Sequence, residues 1–301
     1  KTGAPGYDYW RARAHYELQQ YGKGLGVLNL ADEPMAKSRY APSALRLKGH
    51  MQQLTGKLVE AEASYTKFAV DYPSHREGIR NQFDLADVYT LQNRMPQAVA
   101  IYETLSNNEN RNTAEQAQLK LAHLLYTRGT EENIEQSRSV LSGLATNDQA
   151  RLMHRIDAYV DLAALEQNAG NIDASENAMR SGISLSPDAR QRVPLKLALA
   201  RLLLSEGQTE PALKLLEECR AEAPNQEIAA ELQLEKSKAL YQSGRYEEAD
   251  SGYQVYLDVA DSEEGLAEAY FGKGLSLWQL ERYAEAAGIF DKAAKVLSNP
   301  D

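Results

Sequence analysis

The residues with the strongest claim to chemistry are a serine and a lysine three positions apart, and a short glycine-rich run. Ser64 and Lys67 fit the pattern in which a lysine activates a serine nucleophile. Both lie in the middle of a stretch whose apolar spacing predicts a helix, which argues against catalysis. Gly22, Gly24 and Gly26 resemble a phosphate cradle, but no hydrophobic strand precedes them. We therefore interpret these glycines as small residues that pack between two helices.

Metal and acid–base chemistry find equally little support. None of the histidines has the paired spacing of a helical zinc site; they are His15, His50, His75, His123 and His154. Cys219 is the only cysteine, which excludes intramolecular disulfides and cysteine-rich metal sites, and its position predicts a small buried hydrophobe. Acidic pairs such as Glu217-Glu218 are typical of solvated helix faces. We predict no catalytic residue, no metal and no cofactor, and hence a protein that is not an enzyme.

Composition narrows the class of partner. The 301 residues are 43% hydrophobic and 25% charged, as in a folded globular protein. The formal net charge of −10 repels nucleic-acid backbones and anionic membrane surfaces on average. No apolar run reaches the roughly 18 residues of a membrane-spanning helix. We expect a protein or peptide partner, no nucleic acid and no membrane insertion. Because the sequence begins at Lys1 rather than methionine, we also expect a segment of a longer protein.

Internal repeats carry the main signal about the fold. An alanine recurs at steps of 37 residues in two runs: Ala61 and Ala98, then Ala212, Ala249 and Ala286. An aromatic residue stands four positions later in most units: Tyr65, Tyr102, Tyr253 and Phe290. A glycine stands five positions earlier in several: Gly56, Gly207 and Gly244, with Gly170 one step before. Three residue types in one register predict a tandem structural repeat.

Each element of the repeat has a physical reason. Leucines at helical spacing precede Gly207, and glycine permits the backbone conformation that ends a helix and reverses the chain. The alanine lets a second helix pack closely on the first, and the aromatic fills the space one turn later. Pro187 and Pro224 then end the second helix and begin the next hairpin. The pattern therefore predicts stacked helical hairpins.

Residues 243–249 (SGRYEEA) and 281–290 (ERYAEAAGIF) closely resemble the turn and second helix of the tetratricopeptide repeat family. The resemblance covers nearly the whole chain and implies an all-α, right-handed superhelical solenoid of about eight helical hairpins. It implies a single continuous solenoid over residues 1–301, because each hairpin packs only on its neighbours. An insertion near Thr130 and a polar run at 107–112 place the expected weakest joint around residues 107–135.

In this family the first helices of successive hairpins line a peptide-binding groove. Transferring the groove positions by register gives these candidate partner-binding residues: Arg46, His50, Phe83, Asp87, His123, Tyr126, Arg201, Lys238, Tyr241 and Trp278. Aromatic and cationic side chains suit an interface, so we expect the half of the groove with Arg201 to bind an acidic-apolar segment. Asp87 would repel a terminal carboxylate, which disfavours the carboxylate clamp of the chaperone-binding members.

The resemblance implies a protein–protein interaction scaffold or adaptor. Residues 65–75 (YTKFAVDYPSH) look like the helix endings of bacterial cell-envelope tetratricopeptide proteins, which favours a periplasmic role in assembling an envelope complex. The alternatives are a cytoplasmic peptide-sensing regulator and a periplasmic scaffold of an exopolysaccharide export machine. Fold says little about function in so widely used an architecture. The sequence leaves the partner, the compartment and the oligomeric state open.

Overall fold

The computed structural model describes residues 4–127, 130–260 and 263–298. All regular structure in these ranges is helical, which confirms the all-α prediction. The chain divides into two compact units: the N-terminal unit ends at His154 and the C-terminal unit begins at Arg155. Each is described separately below. The single continuous array and the weakest joint at 107–135 stay predictions, and residues 128 and 129 of that joint lie outside the described ranges.

The N-terminal unit is a stack of antiparallel helical hairpins with one short extra helix, α3, after the first hairpin. Its helices are α1 (Pro5–Glu17), α2 (Tyr21–Leu30), α3 (Asp32–Ala36), α4 (Ala41–Leu54), α5 (Leu58–Asp71), α6 (Gly78–Leu91), α7 (Met95–Ser106), α8 (Arg111–Tyr126) and α9 (Glu131–Thr146). Within each hairpin the first helix packs on the second, and the second packs on the first helix of the next hairpin, apart from α3, after which α2 packs on α4.

From its second helix onward, the C-terminal unit repeats the same packing of each helix on the next. α10 (Leu152–Asn168) begins three residues before the boundary and continues into this unit. The other helices of the unit are α11 (Ile172–Leu185), α12 (Ala189–Ser205), α13 (Thr209–Glu222), α14 (Gln226–Gln242), α15 (Tyr246–Leu257), α16 (Glu263–Gln279) and α17 (Tyr283–Ser298). The side-chain oxygens of Asp188 and Asn225 accept hydrogen bonds from the backbone N–H groups of Gln191 and Ile228. These N-caps fix where the first helices α12 and α14 begin.

The turn inside each hairpin is the repeat's most regular feature. Gly170, Gly207 and Gly244 all have φ between +73° and +78° at successive steps of 37 residues. This left-handed conformation is open to glycine and costs other residues energy. The equivalent turns contain Gly56 and the non-glycine residues Gln19, Asn93 and Glu281, each with φ between +57° and +74°. The predicted period of 37 residues is thus a period of backbone geometry.

The predicted packing residues form the core, apart from Phe290, which is half-buried. The five register alanines are fully buried, and Tyr65, Tyr102 and Tyr253 are at most 2% exposed. Tyr65 packs so closely on α4 that a side-chain carbon at Gly49 would lie 2.6 Å from its ring. Cys219 is buried as predicted. No helix in the described residues is long and apolar enough to cross a membrane.

Candidate protein-binding groove

The serine–lysine pair does not assemble a nucleophile. Ser64 is buried and donates a hydrogen bond to Oε1 of Gln52 at 2.7 Å. Lys67 instead pairs with Asp71 at 2.7 Å, one turn along the same helix. Because the lysine nitrogen and the serine oxygen have separate partners, the pair lacks the hydrogen bond that would activate the serine. Among the described residues no cluster of histidine, cysteine and carboxylate side chains could hold a metal ion.

In the N-terminal unit, Arg46 and His50 of α4 converge on one carboxylate of the next hairpin. Asp84 on α6 accepts a hydrogen bond from Nε of Arg46 at 2.5 Å and from Nε2 of His50 at 3.0 Å. Burial would raise the pKa of the Asp84 carboxyl, but the hydrogen bonds from His50 and Arg46 outweigh it and hold that pKa below its usual range. These two candidate groove residues therefore join neighbouring hairpins.

Phe83 and Asp87 on α6 are also engaged in packing. Phe83 is 8% exposed, and its ring centroid lies 6.2 Å from that of Tyr102. Asp87 accepts hydrogen bonds from the Tyr102 hydroxyl and from Nζ of Lys120 on α8, the latter at 2.9 Å. Burial, together with Asp87, raises the pKa of Tyr102. The aspartate that disfavoured a carboxylate clamp thus serves as the acceptor of an inter-hairpin pair.

The last two candidates of this unit lie on the C-terminal turn of α8. His123 is exposed to solvent, whereas Tyr126 is half-buried. His123 is accordingly the predicted groove residue of the N-terminal unit with the most exposed side chain.

In the C-terminal unit, Arg201 on α12 and Lys238 on α14 are linked through carboxylates of α14 and α16. Glu235 accepts from Nη2 of Arg201 at 3.0 Å and lies 3.2 Å from Nζ of Lys238. Lys238 also pairs with Glu268 at 2.9 Å. Burial opposes ionisation of both Glu235 and Lys238, yet their partners lower the pKa of Glu235 and raise that of Lys238. The two cations are therefore parts of a charge-balanced ladder.

The aromatic candidates of this unit are more open. Tyr241 is half-buried and packs on Tyr246, whereas Trp278 on α16 is 55% exposed beside Tyr283. Phe271, one helical heptad before Trp278, is also 55% exposed. Leu275 lies between them at helical spacing, so the three side chains form an apolar stripe on α16. The arrangement offers a contact surface and no reacting groups.

The transfer of groove positions by register did not identify the oppositely charged partners of the predicted residues. Asp84, Lys120, Glu235 and Glu268 are absent from the predicted set, although each pairs with a member of it. A signal for them exists in the sequence: Glu235 lies 34 positions after Arg201, and Asp84 lies 34 positions after His50. An opposite charge nearly one repeat later on the next first helix is the spacing that reveals such a pair.

Hairpins of this kind, stacked with an alanine–aromatic register, define an α-solenoid repeat protein. Residues 197–258 and 254–300 match the family model of the tetratricopeptide repeat. This match covers the C-terminal third of the chain, and over those residues it confirms the family predicted from the sequence. No curated protein sequence matches the chain.

Solved structures show the same fold at low sequence identity. A tetratricopeptide repeat protein from Parabacteroides merdae is 19% identical with a TM-score of 0.53, covering 91% of this chain and 99% of its own. The C-terminal part of a repeat protein from Cytophaga hutchinsonii is 11% identical with a TM-score of 0.59, covering 86% and 98%. The apo form of the quorum sensor NprR from B. thuringiensis is 12% identical with a TM-score of 0.53, covering 97% and 87%.

Proposed function

We propose that this protein is a non-catalytic scaffold that binds a segment of a partner protein along the first helices of the C-terminal unit. The observation that carries the proposal is the apolar stripe on α16, in which Phe271 and Trp278 are exposed and Leu275 between them is half-buried. Large aromatic side chains bury much area at low entropic cost, which makes them the usual anchors of an interface.

The proposed partner segment is acidic and apolar. The Arg201 side chain is 58% exposed, and its described hydrogen bond uses one of the five N–H donors of a guanidinium. A partner carboxylate can therefore bind Arg201 without first displacing Glu235. Lys238 has two carboxylate partners already and would contribute less.

The finer part of the proposal is a role in assembling a bacterial envelope complex, in the periplasm. Its support is the resemblance of residues 65–75 to the helix endings of envelope repeat proteins. Phe68 packs edge-on against Tyr72 and His75 there, with ring centroids 5.9 and 5.6 Å apart. Such an ending closes a hairpin through its own aromatic side chains.

The competing proposal is a cytoplasmic peptide-sensing regulator. One structure of the same fold is a quorum sensor, but at 12% identity the likeness extends to the fold alone. The two proposals differ in the compartment of the partner, which an experiment separates directly.

The test uses the chain as bait in separate envelope and cytosolic extracts of its source, with captured proteins identified by mass spectrometry. Native chain is compared with Arg201→Glu/Trp278→Ala and with Arg220→Glu, which reverses an exposed cation on the second helix α13. We expect a partner that native chain and Arg220→Glu capture and the double variant loses. A partner captured equally by all three would refute the groove, and the extract that supplies the partner decides between envelope and cytosol.

A further inference from the structure

A second concave feature of the C-terminal unit lies apart from the aromatic stripe. A cavity of about 590 Å³ opens between α14, the end of α15 and the beginning of α16. That volume is in the range of sites that bind small ligands or short stretches of chain. Three glutamates, one tyrosine and several apolar side chains are among the residues that line it.

The charge of this cavity has one sign. Glu227 and Glu231 lie one turn apart on α14, and Glu268 occupies on α16 the position that Glu231 has on α14, 37 residues later. Glu227 and Glu231 make no hydrogen bond or ion pair within the described part of the chain, whereas Glu268 pairs with Lys238. No cationic side chain is among the described residues that line the cavity. Its field therefore favours a cation over an anion.

The hydroxyl of a buried tyrosine faces the same space. Tyr256 is 4% exposed and lines the cavity, and its hydroxyl makes no hydrogen bond to any described residue. Burial, with Glu231 and Glu268 nearby, raises the pKa of Tyr256, so the phenol stays protonated. The hydroxyl therefore presents an unoccupied oxygen to the cavity. A ligand with N–H donors can bind there, because the hydroxyl oxygen can accept a hydrogen bond.

The backbone is shaped around this hydroxyl. A side-chain carbon at Gly265 would lie 1.9 Å from the Tyr256 hydroxyl oxygen. Glycine at this position therefore leaves the space that the phenol occupies. Apart from the polar Gln226, the remaining lining is apolar and comes from Ala230, Leu234, Val259 and Ala260. The cavity thus combines an apolar floor with carboxylates and one hydroxyl at its wall.

We propose that this cavity binds the side chain of an arginine carried by a segment of a partner protein. A guanidinium offers five N–H donors in a planar fork, which suits a wall of several acceptors, and its aliphatic stem suits the apolar floor. The volume exceeds that of one side chain and leaves room for the flanking residues. The inference goes beyond the aromatic stripe and does not depend on it, because the two surfaces share no residue.

The test is a titration of isotopically labelled chain with acetyl-leucyl-arginyl-leucine amide, followed by amide chemical shifts. The control ligand replaces arginine with citrulline, which has a similar shape and no charge. We expect shifts concentrated in the first halves of α14 and α16, and citrulline binding at least about fivefold weaker. Equal binding of the two peptides, or shifts confined to other helices, would overturn the proposal.

Two conservative variants locate the site. Glu231→Gln should weaken arginine-peptide binding roughly fivefold to tenfold, and Tyr256→Phe roughly threefold, because each removes one acceptor and little volume. Their matched controls are Glu247→Gln, an exposed glutamate of α15, and Tyr253→Phe, a buried tyrosine one turn before Tyr256. Both controls should bind as the native chain does. Unchanged binding by Glu231→Gln and Tyr256→Phe would contradict the assignment.

Two further arms separate this cavity from the aromatic stripe and from a polyamine site. Arg201→Glu/Trp278→Ala should leave peptide affinity unchanged, so failure of the aromatic stripe and failure of this cavity are distinguishable. Spermidine is a free polyamine that carries positive charge without a peptide. We expect spermidine to bind more weakly than the arginine peptide, because it lacks the flanking side chains; tighter spermidine binding would refute a partner segment as the ligand.

Discussion

The same register position is buried in one unit and exposed in the other. Phe83 on α6 is 8% exposed, whereas Phe271 on α16 is 55% exposed. Phe83 shares a buried cluster with Leu121 of α8, on the first helix of the next hairpin. Phe271 instead packs on Phe290 of α17, within its own hairpin, with ring centroids 5.8 Å apart. Register thus predicts which residues lie at groove positions. Whether such a residue is exposed for partner binding depends on the side chains that neighbouring helices pack against it.

The charged positions show the same contrast. Arg46 and its acceptor Asp84 have side chains that are 19% and 13% exposed. Arg201, at a groove position of the C-terminal unit, is 58% exposed and its acceptor Glu235 is 23% exposed. Removing one partner of a buried, hydrogen-bonded ion pair leaves an uncompensated charge and is costly, whereas removing one partner of a solvated pair costs little. We infer that the ion pairs of the N-terminal unit stabilise the packing of neighbouring hairpins. Those of the C-terminal unit remain solvated, so a partner carboxylate can replace the intramolecular one.

The largest expected effect comes from truncating the two phenylalanines. Phe83→Ala should lower the free energy of unfolding by about 3–5 kcal/mol, because it opens a cavity in a packed cluster. Phe271→Ala should lower it by less than about 1 kcal/mol and reduce partner binding instead. Urea unfolding followed by circular dichroism measures both changes. Similar losses of stability in the two variants would break the comparison.

A smaller effect is expected from neutralising the two acceptors. Asp84→Asn should cost about 1–3 kcal/mol at pH 7, and Glu235→Gln about 1 kcal/mol or less. The pKa of Asp84 is lowered by folding, so its ionised form contributes stability at every pH above its unfolded pKa of about 3.9. That contribution is lost as the pH falls through the lower folded pKa. The gap between native chain and Asp84→Asn should therefore close in acid.

Urea titrations at a series of pH values from neutral to strongly acidic check this dependence. A gap of constant size at every pH would mean that the aspartate acts through its shape rather than its charge. The Glu235→Gln series is the matched control. Arg201 and Lys238 lower the pKa of the Glu235 carboxyl against the effect of burial, so this gap should also close in acid, from a smaller value at pH 7.

The smallest expected effect is that of a substitution in the N-terminal unit on local opening in the C-terminal unit. Cys219 is fully buried, and burial raises its pKa to about 11, so a thiol reagent at pH 8 reacts only after local opening. Leu216→Ala, in the same helix, should speed labelling at least about tenfold. Asp84→Asn should change the labelling rate by less than about twofold, because neighbouring hairpins carry most of the coupling.

Labelling with a chromogenic disulfide under native conditions gives these rates, and the single cysteine makes the readout specific. If Asp84→Asn accelerated labelling by the full factor of its global destabilisation, the chain would open as one cooperative body. That result would favour the single continuous core predicted from the sequence over independently opening units.

The fold can be predicted well from the sequence because the same residue types recur in the same register in several hairpins. The alanine, the aromatic and the turn glycine identify the hairpins, and the buried residues Ala61, Tyr65 and Cys219 follow from them. The groove is harder. Register gives the location of Arg46 and Arg201, but nothing local distinguishes a half-buried pair from a solvated one, since that depends on residues nearly one repeat away. The cavity at Tyr256 was missed because its walls come from three helices.

The left-handed turn constrains how the gene can change length. Turns at Gly170, Gly207 and Gly244 recur at equal steps, so a duplicated stretch of one whole step starts and stops at matching points of the backbone. Both packing surfaces of the duplicated hairpin already match those of the adjacent hairpins, so no new core has to evolve. A partial step would place a left-handed residue inside a helix instead. Recombination between repeats can therefore lengthen or shorten such an array, whereas small insertions survive mainly in the loops.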